Sequence, residues 1–579
     1  MRSIAFKITF CIGFIISLPT NAELFTSEND AKRNIDLLER QRLREQVEEE
    51  KKQEREYLEN KTIEKNTFNK NIGGNNYKFK VTKIELLNDN VYNLSSQRSN
   101  IIEKYINTEM GNAEIFNLIA ELTNFYIKKG FVTTQVTVVP STLKDGELTL
   151  RVLWGTLLNF QHNGKNPGVR EKIRLFSAMP FAEGKPLNIS DIDQALDNIM
   201  RVSPSDRLQI AATDKTGKSI INHISERNIP LSLHMGMNNS GYKDSGWNQY
   251  YASSTLKNIV GINDLLNYYY SYNDLNNKND KQNSKSISYS FPFGYWVADF
   301  SYYQSNYIKT IGGMYNGGYK SDGSSRRYTL KISNTLFRND KGKVTGYLKT
   351  ESRKNSNNIM NVPISVSSKN YSSVSSGLTW VGPFSNGWGY TDLSMTMGRP
   401  WFNSAWKNDP DLKGFDINYK KINGIFNWNK NLFELIPGKA SIDYEFNGAF
   451  QYTTDQLVSD ARYTIGDEYT IRGYKENSIS AERVAWISNT FKIPVNVNYA
   501  TIYKISPFVG IDLGMARKNC LSDSSCDKDY LSGAAAGIKF NSKYFNSSVS
   551  SGWPMKKPKS LQTTKLDNYN LYFNFDIGF

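Results

Sequence analysis

The residues of this 579-residue chain best placed to do chemistry are Ile471-Arg472-Gly473-Tyr474, within IGDEYTIRGYKENSISAERVAWISNTF (465–491). A guanidinium stays charged at every accessible pH and presents a rigid fork of N–H donors, so a carboxylate or water must meet it. The Gly that follows lets the backbone reverse, although an ordinary surface turn has the same composition. Cys520 and Cys526 lie close together in NCLSDSSCDKD. In an oxidising compartment that spacing favours a disulfide clipping a loop, and without a nearby His a zinc ion would lack ligands. His162, His223 and His234 are scattered without metal-ligand spacing and read as ordinary polar residues, so no metal is expected. No nucleophile elbow, phosphate-binding glycine loop or zinc-binding helix motif occurs, which argues against an enzyme and against a cofactor.

The elements that must position Arg472 follow from composition and period. Apolar residues make up 39% of the chain, and beyond residue 22 no stretch approaches the ~20 apolar residues of a membrane-spanning helix. With 35 Tyr, 30 Phe and 10 Trp, and with Gly, Ser and Asn crowding the second half, the chain favours short strands and turns. The net charge of +15 is spread among acidic neighbours, so nucleic acid is not an expected partner. Residues 1–22 have the anatomy of an export signal: Arg2 and Lys7, the apolar run Ile8 to Leu18, then Thr20-Asn21-Ala22. Its removal takes Cys11 with it.

Residues 23–65 interleave Glu with Lys and Arg at helical spacing and lack Gly and Pro, which predicts one long helix. Ile35, Leu38, Leu43, Val47 and Leu58 are too sparse for a coiled-coil seam, so the helix is expected to be solvated or to lie in a polar, water-filled space. Residues 66–76, rich in Gly and Asn, read as a linker. Two α/β units of order β-α-α-β-β follow, 77–154 and 155–228. In the first, Ile115, Leu118, Ile119, Leu122 and Tyr126 share a helical face. In the second, a helix capped by Ser190 buries Ile192, Leu196, Ile199 and Met200. Both units resemble POTRA domains, whose exposed sheet edges accept an extended peptide as an added strand.

From residue 229 only strands remain. Sixteen segments with one apolar face alternate with turns, an even number with the spacing that a transmembrane barrel requires. The chain ends on such a strand: Leu571, Phe573, Phe575, Ile577 and Phe579 fall on one face, with Tyr572, Asn574, Asp576 and Gly578 on the other. This resembles the terminal signal by which outer-membrane barrels are recognised for insertion. His234 is expected to face the inside of the barrel.

FYIKKGFVTTQVTVV, DIDQALDNIMRV, LHMGMNNSGYKDSGWNQYYASSTLKNIVGINDLL and IGDEYTIRGY together resemble the transporters of two-partner secretion, which export haemolysins, filamentous haemagglutinins and contact-dependent inhibition toxins. The resemblance spans the whole mature chain. It implies a mainly β fold, with a plug helix, two POTRA domains and a sixteen-stranded barrel at 229–579 whose loop near 451–483 folds inward. It also implies that Arg472 pairs with an Asp on the inner face of the following strand, which Gly510-Ile511-Asp512 supplies. Ile471 stands where Val is usual, and Thr213-Asp214-Lys215-Thr216-Gly217 replaces an expected Pro-Gly segment. The implied setting is a monomer in the bacterial outer-membrane lipid, inserted by the barrel assembly machinery, with its POTRA domains in the periplasm. Its implied partner is a secreted exoprotein recognised through an amino-terminal secretion domain. A barrel assembly insertase shares these features but usually has more POTRA units and no plug helix, and a passive porin has no POTRA units.

Overall fold

The computed structural model describes residues 30–60, 77–89, 95–139, 146–226, 229–242, 246–274, 280–312, 318–406, 409–412, 414–519 and 528–579. The signal (1–22), the linker and the pair Cys520 and Cys526 lie outside them. The charged segment forms helix α1, Asp30–Asn60. It is not solvated on all sides: Ile35, Leu38 and Val47, the sparse apolar residues, are buried.

The first POTRA unit contains β1 (Phe79–Val81), β2 (Lys83–Leu87), α2 (Ser95–Ile102), β3 (Thr108–Met110), α3 (Asn112–Lys128), β4 (Gln135–Val138) and β5 (Glu147–Leu153). Strand β5 is central, parallel to β2 and antiparallel to β4, so β2 and β4 are the sheet edges. The extra pair β1–β3 is absent from the simple β-α-α-β-β expectation. Ile115, Leu118, Leu122 and Tyr126 on α3 enter the core, as their helical spacing requires.

In the second unit β6 (Thr156–His162) and β7 (Arg207–Ala212) flank β8 (Lys218–Ile224), with α4 (Val169–Ala178) and α5 (Ile189–Met200) packed on the sheet. Helix α5 is capped by Asn188 rather than Ser190. The Asn188 side chain accepts from the Ser190 N–H, so the helix starts one residue before Ser190.

The remaining strands close into a barrel: β9 (Leu231–Asn238), β10 (Asn248–Lys257), β11 (Leu265–Asp274), β12 (Lys281–Phe293), β13 (Trp296–Gly312), β14 (Gly318–Asn339), β15 (Gly342–Ile359), β16 (Asn370–Phe384), β17 (Gly387–Gly398), β18 (Lys420–Ile436), β19 (Ala440–Tyr452), β20 (Arg483–Lys492, continued as Val495–Tyr499), β21 (Ile502–Arg517), β22 (Lys528–Ser542), β23 (Phe545–Pro554) and β24 (Asn570–Gly578). Pro494 interrupts β20 because it has no N–H for the ladder. Each strand anticipated from sequence is present, and several run longer. Strand β14 has 22 residues, about twice what a tilted strand needs to cross a bilayer, so the wall continues beyond the lipid. Sequence alternation weakens there because outward side chains on that extension face water.

The seam joins β24 to β9, with Ile577 opposite Met235 and the Phe579 N–H donating to Leu233 O at 2.9 Å. Leu571 and Phe579 are exposed on the outer face, whereas Tyr572 points inward and is buried. His234 faces inward, with Nδ1 3.1 Å from Asp576 Oδ1.

Candidate functional site

The barrel interior is lined by Ser, Asn, Gln and charged side chains, and two segments fill it. One is the connection from β19 to β20 (453–482), which folds back into the lumen and makes a short hairpin from Tyr463–Ile465 and Ile479–Ala481. Ile471 and Tyr474 carry its tip into an apolar nest with Ile465, Val484, Trp486 and Leu531. Burying those side chains makes the inward position favourable, at roughly 1.5–3 kcal/mol for each large residue.

Arg472 then meets Asp512 on β21. Its backbone N–H and Nε donate to Oδ2 at 2.9 and 2.7 Å, and Nη2 donates to Oδ1 at 2.6 Å. Ser488 on β20 accepts a further bond from Nη2 at 3.2 Å. Asp512 stands one strand beyond the strand the loop runs into, because the tip reaches across β20 to lie on β21–β23. The carboxylate is 0% exposed, so this pair is not the solvent-screened contact expected of a watery lumen.

The wall is shaped for the tip. Gly473 adopts φ +102°, a region that L side chains avoid, and a Cβ there would come within 2.6 Å of Pro554 N. A Cβ at Gly533 on β22 would lie 2.0 Å from Arg472 O, and one at Gly510 on β21 would lie 2.3 Å from the guanidinium. Asn570 Nδ2 donates to Gly473 O at 2.7 Å, and the Gly473 N–H donates to the Tyr572 hydroxyl at 3.0 Å. Tyr474 donates its hydroxyl to Ser532 O at 2.8 Å. The sequence shows Gly510, Gly533 and Asn570 plainly, but their role emerges only when four strands are laid side by side.

The second segment is α1, which crosses the lumen from the loop to the second POTRA unit. At its start Lys32 Nζ donates to Ser459 O at 2.6 Å. Arg40 pairs with Asp467, and its guanidinium lies 5.1 Å from the Tyr463 ring. Against the wall, Arg327 Nη2 on β14 is 2.9 Å from Asp36 Oδ1, and Arg42 Nη1 donates to the Tyr303 hydroxyl at 2.9 Å. Lys51 bonds Asn427 and Asn429, and Arg338 Nη2 is 2.7 Å from Glu54. Near its end the Tyr57 hydroxyl donates to Asp193 on α5. One apolar contact joins Val47 to Val381 and Tyr390.

The second POTRA unit docks on the POTRA-side turns of the barrel. Arg174 Nε on α4 donates to Asn263 Oδ1 at 2.9 Å, Asn198 Nδ2 donates to Gly294 O at 2.7 Å, and the Tyr295 hydroxyl donates to Asp191 at 2.6 Å. Burial alone would push the Asp206 carboxyl up, but hydrogen bonds from His223 and Ser203 and the charge of Arg174 hold it below the usual carboxylate range. The histidines of this unit are not scattered. Parallel pairing of β6 with β8 sets His162 beside His223, a neighbourhood that residues 61 apart in sequence do not announce.

A family model described as haemolysin secretion/activation protein ShlB/FhaC/HecB matches residues 217–540, and two POTRA models match 79–155 and 157–211. The chain is 26% identical over 468 residues to the outer membrane transporter CdiB of Dickeya dadantii, spanning 79% of this chain and 80% of that one. It is 25% identical to the hemolysin transporter protein ShlB of Serratia marcescens, covering 69% of each. The solved structure of CdiB from Escherichia coli superposes with a TM-score of 0.83 at 22% identity, over 96% of this chain and all of that one. The chain belongs to the haemolysin secretion/activation family ShlB/FhaC/HecB, as an outer-membrane transporter with two POTRA domains and a sixteen-stranded barrel.

Proposed function

We propose that this transporter passes one large, unfolded exoprotein from the periplasm to the cell surface, with the loop tip fixed and α1 as the part that leaves. The observation that carries this reading is the contrast within the lumen. The loop is tied to the wall by a buried bidentate pair, by its own backbone groups and by an apolar nest, all at one tip seated on glycines, whereas α1 is held by side-chain contacts spread one by one along its length. The exoprotein, an adhesin, haemolysin or contact-dependent toxin, adds as a strand to a POTRA sheet edge, β2 or β4 in the first unit and β7 in the second, where the other edge strand, β6, is already bonded at both ends by 184–187 and Lys165. It then takes the path α1 vacates. No covalent step and no nucleotide is involved: folding outside the cell makes return costly.

Ile471, Arg472, Gly473 and Tyr474 act here as a positioning element with Asp512 as its wall partner, and the alternation ending at Phe579 serves assembly of the barrel. Residues 1–22 act as the export signal. The test is secretion of the partner exoprotein by cells carrying Arg472→Ala. Export at least tenfold lower with a normally assembled barrel supports the reading, and unchanged export removes the role given to the loop.

A further inference from the structure

The second POTRA unit brings three ligand atoms to one point. His162 closes β6, His223 lies opposite it on β8, and their Nδ1 atoms are 3.2 Å apart. Glu171, in the first turn of α4, places Oε2 3.9 Å from each. That oxygen is buried and makes no hydrogen bond. The Arg174 guanidinium stands 4.0 Å from it and is engaged instead by Asp206 and Asn263.

The histidine geometry is set from behind. His223 is fully buried, and its Nε2 lies 2.8 Å from Asp206 Oδ2. Since the carboxylate accepts, the neutral ring carries its proton on Nε2 and turns a bare Nδ1 lone pair toward His162 and Glu171. A carboxylate that fixes the tautomer in this way is the usual support of a metal-binding imidazole. Asp206 is itself held by Ser203 and Arg174, so the support is rigid.

Distances decide what would fit. A triangle with one side of 3.2 Å and two of 3.9 Å has a point about 2.1 Å from every corner, the length of a zinc–imidazole or zinc–carboxylate bond. Magnesium and calcium prefer shells made of oxygen, whereas two imidazoles and a carboxylate suit a borderline ion. From this geometry we propose that His162, His223 and Glu171 bind one divalent cation of the zinc class, with water completing its shell.

Such an ion would staple α4 to the sheet on the side where this unit meets the barrel. The same helix carries Arg170, which donates to Ile259 O at 3.2 Å, and Ser177, whose carbonyl accepts from the Gly294 N–H at 2.8 Å. Zinc would therefore stiffen the joint between the second POTRA unit and the barrel turns, independently of the export reading.

The test uses the full chain in detergent micelles, without an affinity tag, titrated with zinc by calorimetry and with cobalt by visible spectroscopy. One zinc per chain at low micromolar concentration, tetrahedral cobalt bands and no response to magnesium are expected. His162→Gln and Glu171→Gln, at half-buried positions where the barrel should still assemble, should each weaken zinc binding at least tenfold and remove the cobalt bands. Asp206→Asn keeps all three donors and should lower affinity by about 10–100-fold, as loss of a supporting carboxylate does. The proposal fails if the unsubstituted chain takes up no more zinc than the His162→Gln/Glu171→Gln double variant.

Discussion

Arg472 reaches a fully buried carboxylate through its backbone N–H and two guanidinium nitrogens, while α1 touches the same barrel through side chains spread along about 46 Å of helix. In the first region the attachments gather at one tip, and the glycines beside it make the room that the tip occupies. In the second, Lys32, Arg40, Arg42, Lys51 and Glu54 each bond a different partner. Distributed polar contacts hold a helix in register yet can be exchanged for water a few at a time. Separating a buried pair strands a carboxylate without solvent, a cost that Arg472 with Asp512 shares with a single α1 contact, Arg338 with Glu54, and at the loop tip the backbone bonds and the apolar nest add to it. On the proposed reading, the same lumen contains a fixed part and a removable one.

The largest expected effect comes from breaking the fixed part. Arg472→Ala leaves Asp512 buried beside an empty space, a loss of about 3–5 kcal/mol for a pair of this kind. Export should fall at least tenfold, read as exoprotein in the culture medium against equal amounts of heat-modifiable barrel. Arg472→Lys keeps the charge but cannot form the fork, so it should retain an intermediate level. Gly473→Ala should resemble Arg472→Ala more than Arg472→Lys, since φ +102° and a 2.6 Å approach to Pro554 N both oppose a Cβ.

Removing residues 30–60 should open the lumen while the Arg472–Asp512 pair stays in place, although the loop loses its bonds from Lys32 and Arg40. In planar bilayers the deletion should raise conductance several-fold, and an unchanged conductance would count against the plug. Raising salt sharpens the comparison. The α1 pairs that keep one partly exposed partner, Arg327 with Asp36 and with Glu39 and Arg40 with Asp467, are screened as the Debye length falls from ~10 Å at 0.1 M to ~3 Å at 1 M, so open events in the intact chain should become more frequent. The Arg472–Asp512 pair should not respond. The smallest effect is expected from one helix contact: Arg42→Gln, which gives up a single partly exposed cluster on the wall, should change the frequency of open events by less than about fivefold.

Much of this architecture was legible because its signals are local. The period of the POTRA helices, the sixteen alternating segments and the arginine-glycine turn all lie within short windows of chain. Asp512 was legible through family resemblance, but not its burial, which depends on Ile471, Trp486 and Leu531 meeting across three strands. The glycine seat for Arg472 is equally non-local, since Gly510 and Gly533 acquire meaning from register alone. The histidine pair was missed for the same reason: a ligand search by spacing cannot see two residues joined by a parallel ladder. The charge pattern of α1 pointed to a polar space, yet only the structure shows Ile35 and Val47 spending their apolar surface on contacts inside the barrel.

The central claim is that α1 leaves during export while the loop tip stays. Val47 on α1 and Val381 on β16 belong to one buried apolar contact. Val47→Cys with Val381→Cys, in a Cys520→Ser/Cys526→Ser background, allows a short thiol-cleavable cross-linker to tie the helix to the wall in living cells. The account predicts that export stops when the link forms and returns when it is cleaved. Export at the uncrosslinked rate from fully linked protein would contradict it.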